Sequence, residues 1–181
     1  MSRLQPVDPA TATGKAKDLL DAVRAKLGIV PNMTRVMAAS PVVLESYLAF
    51  SGALAGGLLH AKTREALALL TAQENHCDYC LSAHTAIGKM VGLNEDQILA
   101  SREGNGLSPK TTAALAFAKR VLDTKGEITE ADLAAAKAAG ISEGETAEII
   151  AHVALNVFTN YFNVATDVDI DFPKVSYSKL A

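Results

Sequence analysis

At 181 residues, with 49% hydrophobic and 20% charged residues, the chain has the length and composition of one folded domain and lies far from a disordered polymer. A formal net charge of -3, with seventeen Lys and Arg that do not cluster, points away from nucleic acid and from anionic membrane surfaces as partners. Positions 1–9 carry prolines and polar residues where an export signal needs an apolar run, so the expected compartment is the cytoplasm.

Ala and Leu dominate and apolar residues recur at helical spacing, which predicts an all-α bundle of about eight helices and no sheet. The first covers Gly14 to Leu27, with Gly28 as its stop and Pro31 beyond. A short helix follows Pro31, and another starts after Ser40 as N-cap with Pro41 in the first helical position, running toward Gly56-Gly57. Together, positions 1–40 read as a helical extension ahead of a core spanning about 41–173.

The next helix, from about Lys62 to Asn75, places Ala66, Leu67 and Leu70 on one face. A helix beginning near Cys77 or Asp78 stops at Gly92, and Asn94 caps a short one through Ser101. Ser108-Pro109 opens a helix through Asp123, and Thr129 and Ser142 cap the last two. Asp132 and Glu145 lie where a capping box needs them. The step Val91-Gly92-Leu93-Asn94-Glu95 is echoed by Ala139-Gly140-Ile141-Ser142-Glu143, which suggests a repeated helical joint. The uncharged stretch Ile149 to Thr166 carries His152, Asn156, Asn160 and Asn163, polar groups that suit a buried bundle helix better than a membrane span. The three Asn read either as a buried polar seam, which a partner subunit could cover, or as a plain solvent-exposed face.

Two cysteines three residues apart, in a chain with no export signal, argue for redox or metal chemistry over a disulfide framework. On a helix, Cys77, Cys80 and His84 stand at i, i+3 and i+7 and share a face. A thiol attacks as thiolate, and its ordinary pKa of ~8.5 leaves a small reactive fraction near neutrality. The partial positive charge of a helix start and a histidine one turn along both lower that barrier. The second cysteine can then close a disulfide on the oxidised first one. Glu65, one helix earlier, is the carboxylate placed to hold His84 in one tautomer, and Glu74 is its competitor at the turn.

Other readings stand beside this one. The cysteines can be two small core residues, or can join His84 and one of His76, His60 or Glu65 in a zinc site, although no second paired ligand motif is present. Glu65 can be a solvated acid of a first helical turn. His152 reads as a satisfied core histidine and His60 as a group capping a carbonyl. Tyr79, between the cysteines, either contacts a thiol or covers the bundle. No cofactor and no resident metal are expected.

The pattern Glu65, eleven residues, Cys77-Asp78-Tyr79-Cys80, three residues, His84 resembles the AhpD-like alkylhydroperoxidase and carboxymuconolactone decarboxylase superfamily, in its peroxidase-related branch. The step Gly92-Leu93-Asn94-Glu95, the segment Asn160-Tyr161-Phe162-Asn163 and Asp169-Ile170-Asp171-Phe172-Pro173 extend the likeness from Pro41 to Pro173. The resemblance implies an all-helical fold and obligate homo-oligomers, whether dimers, trimers or hexamers. It also implies reduction of hydrogen peroxide or small organic hydroperoxides. Cys80 would be the residue oxidised to a sulfenic acid, Cys77 the one that resolves it, and His84 with Glu65 the proton relay. A dithiol donor, either a small thiol or a lipoyl or thioredoxin-like protein, would recycle the pair. A well-studied form of the family has His where this chain has Tyr79. Decarboxylase members lack the paired cysteines, so lactone decarboxylation is not expected. Exchange with protein or small-molecule disulfides is the competing enzymatic reading, and a zinc-binding or redox-sensing adaptor the non-enzymatic one.

Overall fold

The computed structural model describes residues 2–179, Lys179 by its backbone alone; positions 1, 180 and 181 of the expected domain lie outside the described residues. Among those residues there are nine α-helices and no strand: α1 (Gly14–Leu27), α2 (Asn32–Met37), α3 (Pro41–Ala55), α4 (Ala61–Glu74), α5 (Asp78–Met90), α6 (Glu95–Arg102), α7 (Pro109–Thr124), α8 (Glu130–Ala138) and α9 (Glu143–Thr166). The all-α expectation holds, and the element starts follow the caps read from the sequence. Thr129 with Asp132 and Ser142 with Glu145 form complete capping boxes, and Asn94 with Gln97 forms a third. Ser40 occupies its N-cap without a side-chain bond, because its carbonyl already takes the Val43 N–H at 2.9 Å.

The echoed joints are the same in three dimensions. Gly92 and Gly140 both take positive φ, 90° and 82°, and the following Leu93 and Ile141 donate back five residues, to the Gly88 and Ala136 carbonyls. This closes each helix with a left-handed residue that only glycine adopts without steric cost, and a capping box opens the next helix at once.

α4 is the axis of the fold, with α5, α6, α7 and α9 packed around it. Residues Ala66 to Ala72 are all buried, so the one-faced pattern expected for Ala66, Leu67 and Leu70 widens to the full circumference. A helix with neighbours on every side has no solvent face to alternate against. α9 runs in the same direction as α4: Glu148 accepts from the Leu58 and Leu59 N–H groups ahead of α4, while Asn75 just past its end donates to Asn160 at 3.0 Å. That register brings the last third of α9 alongside the start of α5.

The chain ends complete this region. Arg35 of α2 donates to the Val7 carbonyl, and Arg3 N donates to the Thr166 carbonyl. The segment after α9 folds back over α5, where Val175 N donates to Ser82 Oγ and Tyr177 N to Asp78 Oδ1, both at 2.9 Å. Val36 of α2 and Phe172 of the tail pack into the same apolar cluster as the two cysteines. The segment read as an extension is therefore part of the site's wall. No described helix is long and apolar enough to cross a membrane.

Candidate active site

Cys77 is the N-cap of α5 and Cys80 lies in its first turn. They are joined by a disulfide, with Cα atoms 5.3 Å apart. The Cys80 N–H donates to Cys77 Sγ at 3.2 Å, so the first sulfur receives one of the unpaired amides of the helix start. His76, just before, holds a positive φ of 54° and stacks on Tyr177 at 4.4 Å between ring centroids. That left-handed residue turns the chain sharply out of α4 and aims both sulfurs into the bundle, where both cysteines are buried.

His84 lies one turn beyond Cys80 on α5. Its Nδ1 is 2.8 Å from Glu65 Oε2 of α4, with both side chains largely shielded from solvent. If the carboxylate accepts from Nδ1–H, the Nε2 nitrogen is left unprotonated as a proton acceptor. Glu74, the competing acid, instead forms an ion pair with Lys119 of α7 at 3.1 Å. Of the two candidate carboxylates, Glu65 is the one the fold brings to the histidine.

Tyr79 is buried, and its hydroxyl accepts from the Met33 N–H at 3.1 Å, in the first turn of α2. The neighbouring Asn32 N–H donates to Asp171 Oδ2 at 2.7 Å. Two amides of α2 with no partner inside their own helix are thus satisfied by the residue between the cysteines and by the C-terminal tail. Burial pushes the Tyr79 phenol well above its ordinary range, and the Asp171 charge adds to this, so it stays a neutral hydroxyl. Tyr47 of α3, unremarked in the sequence, has its phenol raised by burial and further by the charge of Glu65.

The Asn seam of α9 is internal. Asn156, Asn160 and Asn163 are buried within this chain, as the buried-seam reading expected and against the solvent-exposed one, because α9 lays that face on α4 and α5. Asn163 Nδ2 lies 3.3 Å from Cys80 Sγ and 3.2 Å from Met33 Sδ. The spacing of polar residues on an uncharged helix was the only sequence signal for this contact. His152 is buried, as a core histidine should be, but its Nε2 has no partner among the described residues. His60 is the N-cap of α4 and makes no capping bond with its side chain.

A cavity of about 480 Å³ opens beside the disulfide. Cys77, Tyr79, Asn163, Arg3, His76 and Lys174 are among the residues that line it. Among the described residues no group of three or more His, Cys, Asp or Glu side chains is arranged to hold a metal ion.

The described residues thus combine a buried Cys-x-x-Cys disulfide with an imidazole–carboxylate pair one turn along the same helix, an arrangement compatible with a redox role. Residues 41–120 match the sequence model of the carboxymuconolactone decarboxylase family. The fold is similar to that of an alkylhydroperoxidase AhpD core protein, a peroxidase-related protein from Ralstonia eutropha JMP134. The two are 26% identical, the match covers 94% of this chain and 92% of that one, and the TM-score is 0.83. A peroxidase-related protein from Silicibacter sp. TM1040 is 22% identical over 93% and 91%, with a TM-score of 0.82. The debrominase Bmp8, solved with 2,3,4-tribromopyrrole, is 19% identical over 93% and 91%, with a TM-score of 0.76. No protein of curated function matches the chain in sequence. The family-model match and the shared fold support the resemblance to the AhpD-like and carboxymuconolactone decarboxylase superfamily read from the sequence.

Proposed function

We propose that the protein is a thiol-dependent peroxidase that reduces hydrogen peroxide or small organic hydroperoxides at Cys80. The observation that carries this reading is the Cys77–Cys80 disulfide set one turn from a histidine already paired with a carboxylate. In the reduced protein, His84 Nε2 takes the Cys80 proton and Glu65 stabilises the imidazolium that results. The Cys80 thiolate attacks the terminal peroxide oxygen, the O–O bond breaks, and the alcohol or water leaves with a proton. Cys77 then attacks the Cys80 sulfenic acid, releasing water and forming the disulfide. A dithiol donor returns two electrons and two protons and is itself oxidised to a disulfide. The working form is a homo-oligomer in the cytoplasm.

Disulfide exchange without peroxide is the second reading, favoured by the opening of the cavity onto Cys77. The debrominase relative adds a halogenated aromatic as a third class of electron acceptor to assay. Reduced protein should consume one equivalent of hydroperoxide and form the Cys77–Cys80 disulfide, read by mass spectrometry. Cys80→Ser should abolish turnover, while Cys77→Ser should stop at a trapped sulfenic acid. Turnover surviving in Cys80→Ser, or faster reduction of a disulfide or bromopyrrole than of any hydroperoxide, overturns the peroxidase assignment.

A further inference from the structure

The helix-start effect alone assigns the charge to the wrong sulfur. Cys77, as N-cap, receives the Cys80 backbone N–H and the full benefit of the α5 dipole. Cys80, one turn in, receives no backbone donor. Its hydrogen-bond donor is a side chain from another helix: Asn163 Nδ2 at 3.3 Å. The orientation of that carboxamide follows from chemistry, since sulfur is a weak acceptor and two sulfurs, Cys80 Sγ and Met33 Sδ, face the same end. The opposite end, Oδ1, is buried and has no partner among the described residues, and Asn163 itself is 3% exposed. A buried amide that leaves its oxygen unpaired in order to aim its N–H groups at sulfur carries a cost that packing does not explain.

We propose that Asn163 is the positioning residue that makes Cys80 the reactive thiol of the pair, by holding its sulfur through the carboxamide N–H and favouring the thiolate once the disulfide is reduced. The register of α9 on α4 places it there, because the Asn75–Asn160 bond pins the helix one turn before Asn163. Met33 confines the amide from the other side, so the N-terminal helices help to aim it. The proposal takes Cys80 as the attacking sulfur from the reading above.

The titratable groups around this sulfur are His84 on its own helix, Glu65 on α4, Tyr47 on α3, and Tyr79 with Asp171 on the side of α2 and the tail. His76 and Asp78 stand at the α5 start and Arg3 and Lys174 across the cavity, while α9 brings Asp167. Substitutions at position 163 leave all of these groups in place, so a change in the Cys80 titration reports on the amide itself.

The test is the pH dependence of iodoacetamide alkylation of the reduced protein, with the Cys80 and Cys77 peptides quantified separately by mass spectrometry. Asn163→Leu keeps the shape and removes the donor; the Cys80 midpoint should rise by about one pH unit, a tenfold loss of thiolate well below the midpoint. Asn163→Asp places a negative charge there and should raise it further. The Cys77 midpoint should stay in place. Asn163→Ala serves in the same way if the leucine variant does not fold. In the unsubstituted protein, the Asn163 side-chain amide NMR signals should shift on reduction and titrate with the Cys80 midpoint. A Cys80 midpoint within about 0.3 unit of the parent in the folded variants, or movement of Cys77 instead, overturns the proposal, as does a silent amide signal. None of these readouts uses peroxide. A protein that fails to turn over hydroperoxide yet shows the displaced midpoint sinks the peroxidase reading and leaves the role of Asn163 standing.

Discussion

Single side chains here do work in two directions at once. Tyr79 separates the cysteines in sequence, yet its hydroxyl serves a different element, accepting the Met33 N–H that α2 cannot satisfy within itself. Removing the hydroxyl leaves that amide unpaired beside a buried ring, at a cost of about 1–2 kcal/mol. Tyr79→Phe should therefore lower the urea midpoint and speed hydrogen exchange in α2, with α7 and α8 unaffected. Equal exchange in both regions would show that the bond is dispensable. Glu65 and Glu74 differ in the same plain way: one meets His84 and the other Lys119. Chain distance favoured Glu74, the nearer in sequence, but the fold brings Glu65 to His84. Cys77, Cys80 and His84 were legible as a group because fixed helical spacing converts directly into a shared face, whereas Glu65, on the preceding helix, rested on the family resemblance. The Asn163 contact was not, since it depends on a register between helices more than eighty residues apart in sequence.

At the scale of the element, the stretch Ile149 to Thr166 of α9 shows what a long uncharged run with scattered polar residues means. His152 sits level with the first turns of α4, four residues after Glu148 is tied to the Leu58 and Leu59 amides. Burial holds its imidazole below the ordinary 6.5, Arg64 adds to this, and the acids Glu148 and Glu65 oppose it only in part. The folded chain thus resists a proton that the unfolded chain accepts below 6.5. Stability should fall as pH drops through 6.5 and level off only beneath the folded value, with a slope of at most ~1.4 kcal/mol per pH unit from this group. His152→Phe should flatten the urea midpoint between pH 7.5 and 5.5. An unchanged slope would place the proton uptake elsewhere. The caps at Asn94, Thr129 and Ser142 were readable because each acts within four residues. The full burial of α4 was not, because a helix surrounded on every side loses the periodicity that marks a face.

For the whole molecule, the notable surplus is apolar surface. α3 is among the most apolar helices, yet only Leu44 of its fifteen residues is buried, and Val42 and Phe50 face outward. Along α9, Ile150, Phe158 and Tyr161 form an exposed stripe at helical spacing. Such a surface supports the proposed homo-oligomer. Light scattering at micromolar concentration should give a mass at least twice the 19.0 kDa of one chain, and Phe158→Glu with Tyr161→Lys should reduce it to that of the monomer. A monomeric parent protein would remove the proposal. Within the first forty residues, read as a helical extension ahead of a core near 41–173, Met33 and Val36 pack against the cysteine region.

Both termini converge beside the sulfur pair: Ser2 bonds Asp169, Arg3 reaches the Ala165 carbonyl, and Tyr177 rests on His76. A reporter attached near Arg3 or Tyr177, both of which line the cavity, would crowd what enters it. A label on the exposed Gly126 turn between α7 and α8 avoids that entrance.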